Sequence, residues 1–338
     1  MSAQSEVEAT LTASVEKSLR QGREWLAGLM DSDGKIAGNE AASLYYKVPV
    51  ALALSGDVRG ALRSLDWIAK HLLTKEGALS VPKEQSEGRA YDRGWMIWGA
   101  SLCQRYDIAL RLAKDLRTFQ NSSTGGFWDS RKELAEGRGR HHAMTVGMAG
   151  WGLLAAGRVQ EARRAGDFLI DLLDLQPAKC DRIALTVQAT RDGQQQLDQS
   201  EDPSDYVDCT AVRQRPARIG PAQVLLVRLF QLLGDERYLK AAWGYTLPFL
   251  DGPTGIYDCV ESHKFLWGVL ELHRVNPEPR LRAAAERSVE YILSRQRSDG
   301  QWLADATGGG AQEQSLDLRL NTTCNVLVGF ARYLHLAA

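Results

Sequence analysis

The segment 257–267, YDCVESHKFLW, places four ionisable side chains immediately before an apolar stretch. Asp258 would lie near the positive end of the helix that follows and stay ionised, and Glu261 and Lys264 are three residues apart and share a helix face. His263 titrates near neutral pH and is suited to moving protons. We predict the two carboxylates and the imidazole as catalytic acids or bases and the lysine as a substrate-binding residue. A surface salt-bridge cluster is the alternative.

The segment 91–98, YDRGWMIW, combines a carboxylate with aromatic side chains at helical spacing, and its Asp92 is predicted as a further catalytic acid or base. Similar mixtures of polar and aromatic residues stand at the start of other apolar segments, an arrangement typical of small-molecule sites. The predicted substrate-binding residues are Tyr46, Lys47, Tyr91, Trp95, Trp98, His142, Trp151, Arg218, Lys264, Trp267 and Asn321. Together they predict a ring of ionisable groups above an apolar, Trp-lined throat. For any single residue, helix capping or a hydrated rim is the simpler alternative.

The sequence offers no metal or cofactor motif, so we expect chemistry without either. His141 and His142 are adjacent, so on a helix their side chains diverge by about 100° and at most one faces a cavity. No His-x-x-x-His spacing, Gly-rich dinucleotide motif or P-loop is present. A Schiff base on Lys47 or Lys264 is disfavoured, because the sequence shows no sign of the desolvation that would lower a lysine pKa.

Two kinds of helical segment must position these residues, and they alternate along the chain. Amphipathic segments with one apolar stripe span 7–29, 58–73, 108–120, 159–173, 236–250 and 279–295. Between them lie six segments, such as AMTVGMAGWGLLAAG, that are apolar nearly all round, as in helices enclosed on every side. The alternation predicts an all-α fold, an (α/α)6 barrel or toroid of six helical hairpins with the enclosed helices inside. The ring would close by pairing of 323–335 with 7–29, and the pocket would lie at the N-terminal ends of the inner helices.

Glycine-bearing turns follow both kinds of helix. In LALSGDVRGAL, a Gly suits the left-handed C-terminal cap of one helix and the next Asp suits the N-cap of the following helix. After amphipathic helices a Gly-bearing turn is followed by an apolar residue, and in two of these turns, FQNSSTGGFW and SRQRSDGQW, a Gln precedes the Gly and a Trp follows it. We predict that Gln120 and Gln296 bond to backbone groups at a neighbouring helix end. Trp128 and Trp302 are predicted to fill the gap between hairpins.

The spacing in QRSDGQW resembles the repeated QW motif of squalene and hopene cyclases, and the six hairpins resemble the α/α toroid shared by terpenoid cyclases and protein prenyltransferase β-subunits. The resemblance implies a cavity for an isoprenoid or polyene. It does not carry over those families' catalytic motifs. The chain has no adjacent Asp pair, and hence neither DxDD nor DDxxD, while Asp258 and Cys259 are adjacent instead of in the Asp-x-Cys spacing of the prenyltransferase zinc site.

One segment departs from the helical pattern. DRIALTVQATRDGQQQLDQ alternates apolar and polar residues around an Arg-Asp-Gly turn, which predicts a small β-hairpin insertion near 183–197. The long irregular connection that follows is predicted to form a lid or binding wall over one end of the barrel.

Composition limits the classes of partner. The 338 residues include 41 basic and 42 acidic ones without a polybasic face, so no nucleic-acid partner is expected. The polar N-terminus, the lack of a run of about 18 apolar residues and the five scattered cysteines predict a cytoplasmic protein without a membrane span. We expect a single domain over 1–338, and a homodimer stays open.

Three functional interpretations remain. The first is a metal-independent cyclase or isomerase of a small hydrophobic metabolite held in the barrel. The second is a carbohydrate-active enzyme of the glycoside hydrolase or epimerase type, with Asp92 paired to Asp258 or Glu261. The third is a non-catalytic toroid that binds a small molecule. An aromatic cavity with one or two acids favours the first, several carboxylates favour the second, and a cavity plugged by side chains favours the third.

Overall fold

Amphipathic helices form the outer layer in the computed structural model, which describes residues 3–36, 42–79, 89–177, 181–198, 200–212, 216–305 and 314–337. These helices are α1 (Ala3–Gly28), α3 (Val58–His71), α5 (Tyr106–Arg117), α8 (Val159–Asp174), α10 (Glu236–Leu250) and α12 (Pro279–Ser294). Their bounds agree with the predicted segments to within a few residues. The agreement arises because the stripe of apolar residues has the same period as the helix that buries it.

Largely buried helices form the inner layer: α2 (Val48–Leu54), α4 (Ala90–Leu102), α7 (Ala143–Ala155), α9 (Gly220–Leu233), α11 (His263–Val275) and α13 (Leu316–Ala337). Each inner helix contacts the next, and α13 contacts α2, so the ring is closed. Outer helix α1 packs against α13, as predicted. The fold is therefore the predicted (α/α)6 toroid. Apolar as these helices are, within the described residues none is long and apolar enough to cross a bilayer.

Glycines with positive φ make three of the inner-to-outer turns. Gly56, Gly157 and Gly234 have φ of 95°, 75° and 68°, the left-handed region that favours glycine at a helix C-terminus. The next helix is capped by an aspartate where the sequence has one. The Asp57 carboxylate accepts a bond from the Gly60 amide at 2.8 Å, and Asp235 accepts one from the Arg237 amide at 3.0 Å.

The outer-to-inner turns repeat a close contact with the next outer helix. Gly34, Gly77, Gly125 and Gly300 have φ between 81° and 96°. At each of them an added Cβ would lie within 3 Å of backbone atoms of the following outer helix. At Gly300 the neighbour is the carbonyl oxygen of Gln21 in α1, at 2.4 Å. These turns therefore set how closely neighbouring hairpins approach, and the contact at Gly300 closes the ring.

The Gln and Trp residues of these turns join neighbouring hairpins. The Gln120 side-chain amide donates to the Glu161 carbonyl in the first turn of α8 at 2.9 Å, as predicted. Gln296 donates to the Ser18 carbonyl at 2.9 Å, in the middle of α1 and not at its end. Trp302 is fully buried and its indole N–H donates to the Ile292 carbonyl at 2.9 Å, so it fills the space between hairpins.

Short strands form the insertion. The predicted hairpin is present as β3 (Thr186–Thr190) and β4 (Gln195–Leu197), and it begins later than the predicted residue 183. The other strands are β1 (Arg138–His142), which pairs with β3, and β2 (Arg182–Ala184), which pairs with β5 (Tyr206–Asp208). A short helix, α6 (Arg131–Glu136), precedes β1. Because β1 runs directly into α7, the larger sheet lies over the N-terminal end of that inner helix.

Candidate functional site

A cavity of about 370 Å³ opens at the N-terminal ends of α4 and α7, at the barrel end where the sequence predicts the pocket. We call it the barrel-end cavity. It is lined by Arg89, Tyr91, Asp129, Glu133, Arg140, His142, Met144, Thr145, Thr186, Ser204, Asp205 and Arg218. Every lining residue except Met144 has a polar side-chain group. The insertion contributes Thr186, Ser204 and Asp205, so it forms one wall of the cavity.

A larger groove of about 860 Å³ lies outside the barrel, along α6 and the sheet of β1, β3 and β4. It is an open surface feature lined mainly by glutamine, glutamate and lysine side chains. The barrel-end cavity is the better candidate site, because its ionisable side chains are held in a less hydrated environment where their protonation can be tuned.

Some charged groups of the barrel-end cavity hold its wall together through ion pairs and hydrogen bonds. The Arg140 guanidinium bridges Asp198, at 3.0 Å, and Asp205. Burial would raise the pKa of Asp205, but the bonds from Arg140 outweigh it and lower that pKa. The two carboxylate oxygens of Glu133 accept bonds from the backbone amides of Asp129, at 2.8 Å, and of Arg140, at 3.3 Å. These groups fix the positions of β1 and of the loop before α6.

Two carboxylates are less constrained, Asp129 and Asp92. Asp129 lines the cavity and accepts a long bond of 3.4 Å from the Thr145 hydroxyl. Asp92 is 7% exposed, and one of its oxygens lies 3.8 Å from Arg89 while the other has no hydrogen-bond partner among the described residues. Burial raises the pKa of both carboxyl groups, and Arg89 partly opposes the rise. Either group can therefore act in proton transfer.

Tyr91, His142 and Arg218 are the predicted binding residues that line the cavity. The Tyr91 hydroxyl is buried without a hydrogen-bond partner among the described residues, so it is free to bond a ligand. Arg218 donates to the Pro203 carbonyl at 2.8 Å and thereby holds the loop before α9.

The imidazole of His142 caps α7. Its Nδ1 accepts from the Met144 amide at 3.0 Å, and its Nε2 lies 3.1 Å from the Ser204 carbonyl. Burial lowers its pKa to about 4, so the ring is neutral and both nitrogens are used. His141 points to the other side and packs against Trp128, because the two residues lie on a strand where side chains alternate, and not on the expected helix.

Four predicted residues lie directly behind the lining: Tyr46, Lys47, His263 and Lys264. All are at most 8% exposed. The Lys47 ammonium lies over the rings of Tyr46, at 4.8 Å, and Tyr91, at 5.7 Å. The Lys264 ammonium lies over the same Tyr91 ring at 5.4 Å. The desolvation that the sequence does not reveal is thus present at both lysines. Burial lowers the pKa of Lys47 to about 8 and that of Lys264 well below its usual value.

The predicted Trp-lined throat is filled. Trp98 of α4 stacks on Trp267 of α11 at 4.9 Å with nearly parallel rings, and these helices stand on opposite sides of the inner ring. Trp95 and Trp151 pack against the same pair. Trp95, Trp98 and Trp267 are at most 1% exposed, so the indoles occupy the barrel axis and do not form the walls of a hollow.

Asp92 adjoins the lining through Tyr91 and Arg89 but is not part of it, and three further predicted residues lie away from it. Asp258 forms a two-pronged ion pair with Arg287 of α12, at 2.9 and 3.0 Å, which turns it towards the outer layer. Glu261 accepts a bond from the Asp305 amide at 3.0 Å and holds the segment before α13. Asn321 lies in the second turn of α13, and its side-chain oxygen has no partner among the described residues.

The sequence reasoning missed several lining residues, above all Asp129, Arg89 and Asp205. Asp129 could have been predicted from its position. It directly follows Trp128 of the FQNSSTGGFW turn and directly precedes the capping sequence SRKE. Ser130 indeed caps α6 by accepting from the Glu133 amide at 3.2 Å. Across the described ranges, no three His, Cys, Asp or Glu side chains are grouped so that they could hold a metal ion.

No known protein family and no curated protein sequence matches the chain. Solved structures do. An inactive variant of an α-1,6-mannanase from Salegentibacter sp. HEL1_6, bound to α-1,6-mannotriose, is 13% identical, covers 95% of this chain and 99% of its own, and has a TM-score of 0.67. A D-mannose isomerase is 11% identical over 97% of both chains with a TM-score of 0.68.

A type II terpene cyclase from Scytonema, bound to geranylgeranyl dihydroxybenzoate, is 11% identical. The match covers 97% of this chain and 99% of the cyclase, with a TM-score of 0.63. At such low identity these likenesses establish the toroid fold and leave the reaction to be argued from the site. The terpenoid cyclases are one of several enzyme groups that share this architecture.

Proposed function

We propose that this protein is an isomerase or epimerase of a small polyhydroxylated substrate, a sugar, which binds in the barrel-end cavity. The single observation that carries the proposal is the lining, in which every side chain but that of Met144 has a polar group. The cavity volume of about 370 Å³ lies near the lower end of the range typical of small-molecule sites, which suits one small ligand.

A hydrocarbon substrate fits this lining poorly. Placing an isoprenoid against Arg89, Asp129 and Arg218 would remove water from charged groups without replacing its hydrogen bonds, which costs free energy for each group. The stacked Trp98 and Trp267 rings leave the barrel axis filled. Sugar hydroxyls, in contrast, can both donate to carboxylates and accept from guanidinium groups.

Asp129 and Asp92 are the proposed acid and base. An isomerase removes a proton from the carbon next to a carbonyl group and returns a proton to a neighbouring atom, while a donor protonates or bonds the carbonyl oxygen. Burial raises the pKa of both carboxyl groups, and the charge of Asp92 raises that of Asp129 further, which favours a proton on one carboxyl group while the other is ionised. The unpartnered Tyr91 hydroxyl would donate to the substrate oxygen on which charge develops.

Hydrolysis of a mannan is less well supported. The mannanase variant described as inactive has two consecutive aspartates replaced, and this chain contains no two consecutive aspartates. The D-mannose isomerase has the same fold over nearly the whole of both chains, so a sugar isomerase is compatible with this architecture.

The test is proton exchange at carbon. The protein is incubated with a panel of aldoses and ketoses in D2O, and NMR detects deuterium next to the carbonyl group and the appearance of an isomeric sugar. Asp129→Asn is expected to lower kcat by about 100- to 10,000-fold, because it removes one proton-transfer group. Asp33→Asn, at an exposed turn outside the site, serves as the matched control.

Full activity of the Asp129→Asn variant would refute the assigned role of Asp129. If none of the sugars is exchanged, turnover of a polyene would replace the proposed reaction with a cyclase, release of sugar from a glycoside would replace it with hydrolysis, and binding of a sugar without any turnover would indicate the non-catalytic toroid.

A further inference from the structure

Two buried lysines have no anionic partner. Lys47 is 3% exposed and Lys264 is 8% exposed. Among the described residues, neither ammonium group lies within ion-pair distance of a carboxylate. The contacts of Lys264 are the Tyr91 ring and, at 3.8 Å, the Met144 sulfur. Aromatic rings attract a cation, but they do not neutralise its charge.

Lys264 stands where the backbone disfavours a cation. It is the second residue of the 13-residue helix α11. The N-terminus of a helix carries a partial positive charge, which stabilises anions and repels cations.

The lysine pair adjoins the barrel-end cavity. Tyr91, whose ring lies against both ammonium groups, lines the cavity, and so does Met144, which touches Lys264. Arg89 and Arg218 of the lining add positive charge close enough to affect Lys264.

Among the described residues, no carboxylate forms a close ion pair with either lysine. Asp92, which acts on Lys47, lies 3.8 Å from Arg89, and Glu261, which acts on Lys264, accepts a bond from the Asp305 amide. Asp317 also acts on Lys47. The four cations on this side of the cavity, Lys47, Lys264, Arg89 and Arg218, therefore outnumber the three carboxylates that act on the lysines.

We propose that Lys47 and Lys264 form an anion subsite, and that the sugar bound in the barrel-end cavity carries a carboxylate or a phosphate group. That the ligand is a sugar rests on the proposed function. The anion subsite itself rests on the two buried lysines. The ligand's anion would supply the charge that the folded protein lacks and would accept charge-assisted bonds from the ammonium groups. A neutral sugar would leave the charges of the two ammonium groups without a bound anion.

Anion binding is coupled to proton uptake. Burial lowers the pKa of Lys47 to about 8 and that of Lys264 well below its usual value, and an arriving anion favours the ammonium form of both. The groups that act on the pair are Arg89, Asp92, Arg218, Glu261, Asp317, Cys324 and the neighbouring His263. Affinity for an anion should therefore fall as pH rises through 8 and above.

The experiment compares three ligands that differ at one position: D-glucuronate, D-glucose 6-phosphate and D-glucose. Isothermal titration and thermal unfolding are measured at constant ionic strength with sodium chloride. We expect at least one anionic sugar to bind about tenfold or more tightly than D-glucose. The preference between the two anions identifies the carboxylate or the phosphate as the source of the charge.

Single lysine substitutions distinguish anion binding at the subsite from attraction by the overall charge of the protein. Lys264→Met is expected to lose the preference for the anionic sugar and, without ligand, to unfold at the same temperature as the wild type or a higher one, because an unpaired buried charge has been removed. Lys240→Met removes an exposed lysine of α10 and should change neither value. Lys47→Met provides a second, independent test of the pair.

Equal binding of all three sugars would overturn the subsite, and so would an anion preference that survives in both Lys264→Met and Lys47→Met. Because binding is measured without turnover, an anion preference with no isomerisation of any sugar would refute the proposed reaction and leave the subsite intact.

Discussion

Replacing Gly300 by alanine tests whether the last turn closes the ring against α1. Gly300 has φ of 96°, and a Cβ there would lie 2.4 Å from the Gln21 carbonyl oxygen. Two penalties therefore add. A left-handed conformation costs alanine about 1 to 2 kcal/mol, and relieving a backbone overlap costs about 1 to 3 kcal/mol more, as overpacking typically does.

Gly234 provides the matched control. Its φ of 68° also lies in the left-handed region, so alanine pays a conformational penalty there too, but a Cβ would meet nothing within 4 Å. With an unfolding entropy of about 0.7 kcal/mol per kelvin for a chain of this length, Gly234→Ala should lower Tm by about 1 to 3 °C and Gly300→Ala by about 3 to 7 °C. Circular dichroism at 222 nm during heating measures both.

Equal shifts in the two variants would refute the reasoning, since they would mean that the turn and α1 are not in close contact. A Gly300→Ala shift that shrinks when α1 is destabilised around Gln21 by a second substitution would support it, because the two changes act on one contact.

Three further predictions follow from buried polar groups. His141 is fully buried, and burial lowers its pKa to about 4. Its contribution to the free energy of unfolding is therefore complete above pH 6.5 and is lost as pH falls towards 4. When pH falls from 7.5 to 5, the free energy of unfolding measured in urea titrations should drop by about 2 kcal/mol less in His141→Phe than in the wild type. An equal drop in both proteins would contradict this. Replacing the buried Glu271 by alanine should cost about 3 to 5 kcal/mol, because it leaves Arg228 and the partly buried Arg332 without their carboxylate at the far end of the barrel. Glu271→Gln should cost less if shape and not charge is responsible. Gln296→Leu should cost about 1 to 3 kcal/mol by leaving two backbone carbonyls without its amide, and a chemical denaturation midpoint equal to that of the wild type would count against the predicted hairpin link.

Local pattern was sufficient for the helices and the turns. The apolar stripe of 236–250 predicts α10 with both of its bounds, because burial against one neighbour leaves a period that can be read within a single segment. The same holds for Gly234 and Asp235, whose conformation and capping depend on adjacent residues alone. Strand β1 escaped prediction because its pairing partner β3 lies about 50 residues further along the chain.

The chemistry of the site was only partly accessible in this way. Asp92, Tyr91 and the two lysines, singled out by type and position, lie in or beside the barrel-end cavity, whereas Asp258 was assigned to the same site and instead pairs with Arg287. The aromatic residues were read as cavity walls, but Trp98 and Trp267 reach across the ring and stack on each other. The spacing of residues along the chain does not show which side chains meet across the barrel.

The sequence by itself determined that enclosed and one-sided helices alternate, that glycines turn the chain between them, and that a β-hairpin interrupts the pattern, because each of these depends on neighbours within a few residues. Only the tertiary structure decided that Asp129 enters the barrel-end cavity, that the indoles occupy the axis, and that Lys47 and Lys264 are buried against one tyrosine ring. Those outcomes depend on which helices the closed ring places opposite each other, and the burial that shifts each pKa is produced by residues far away in the chain.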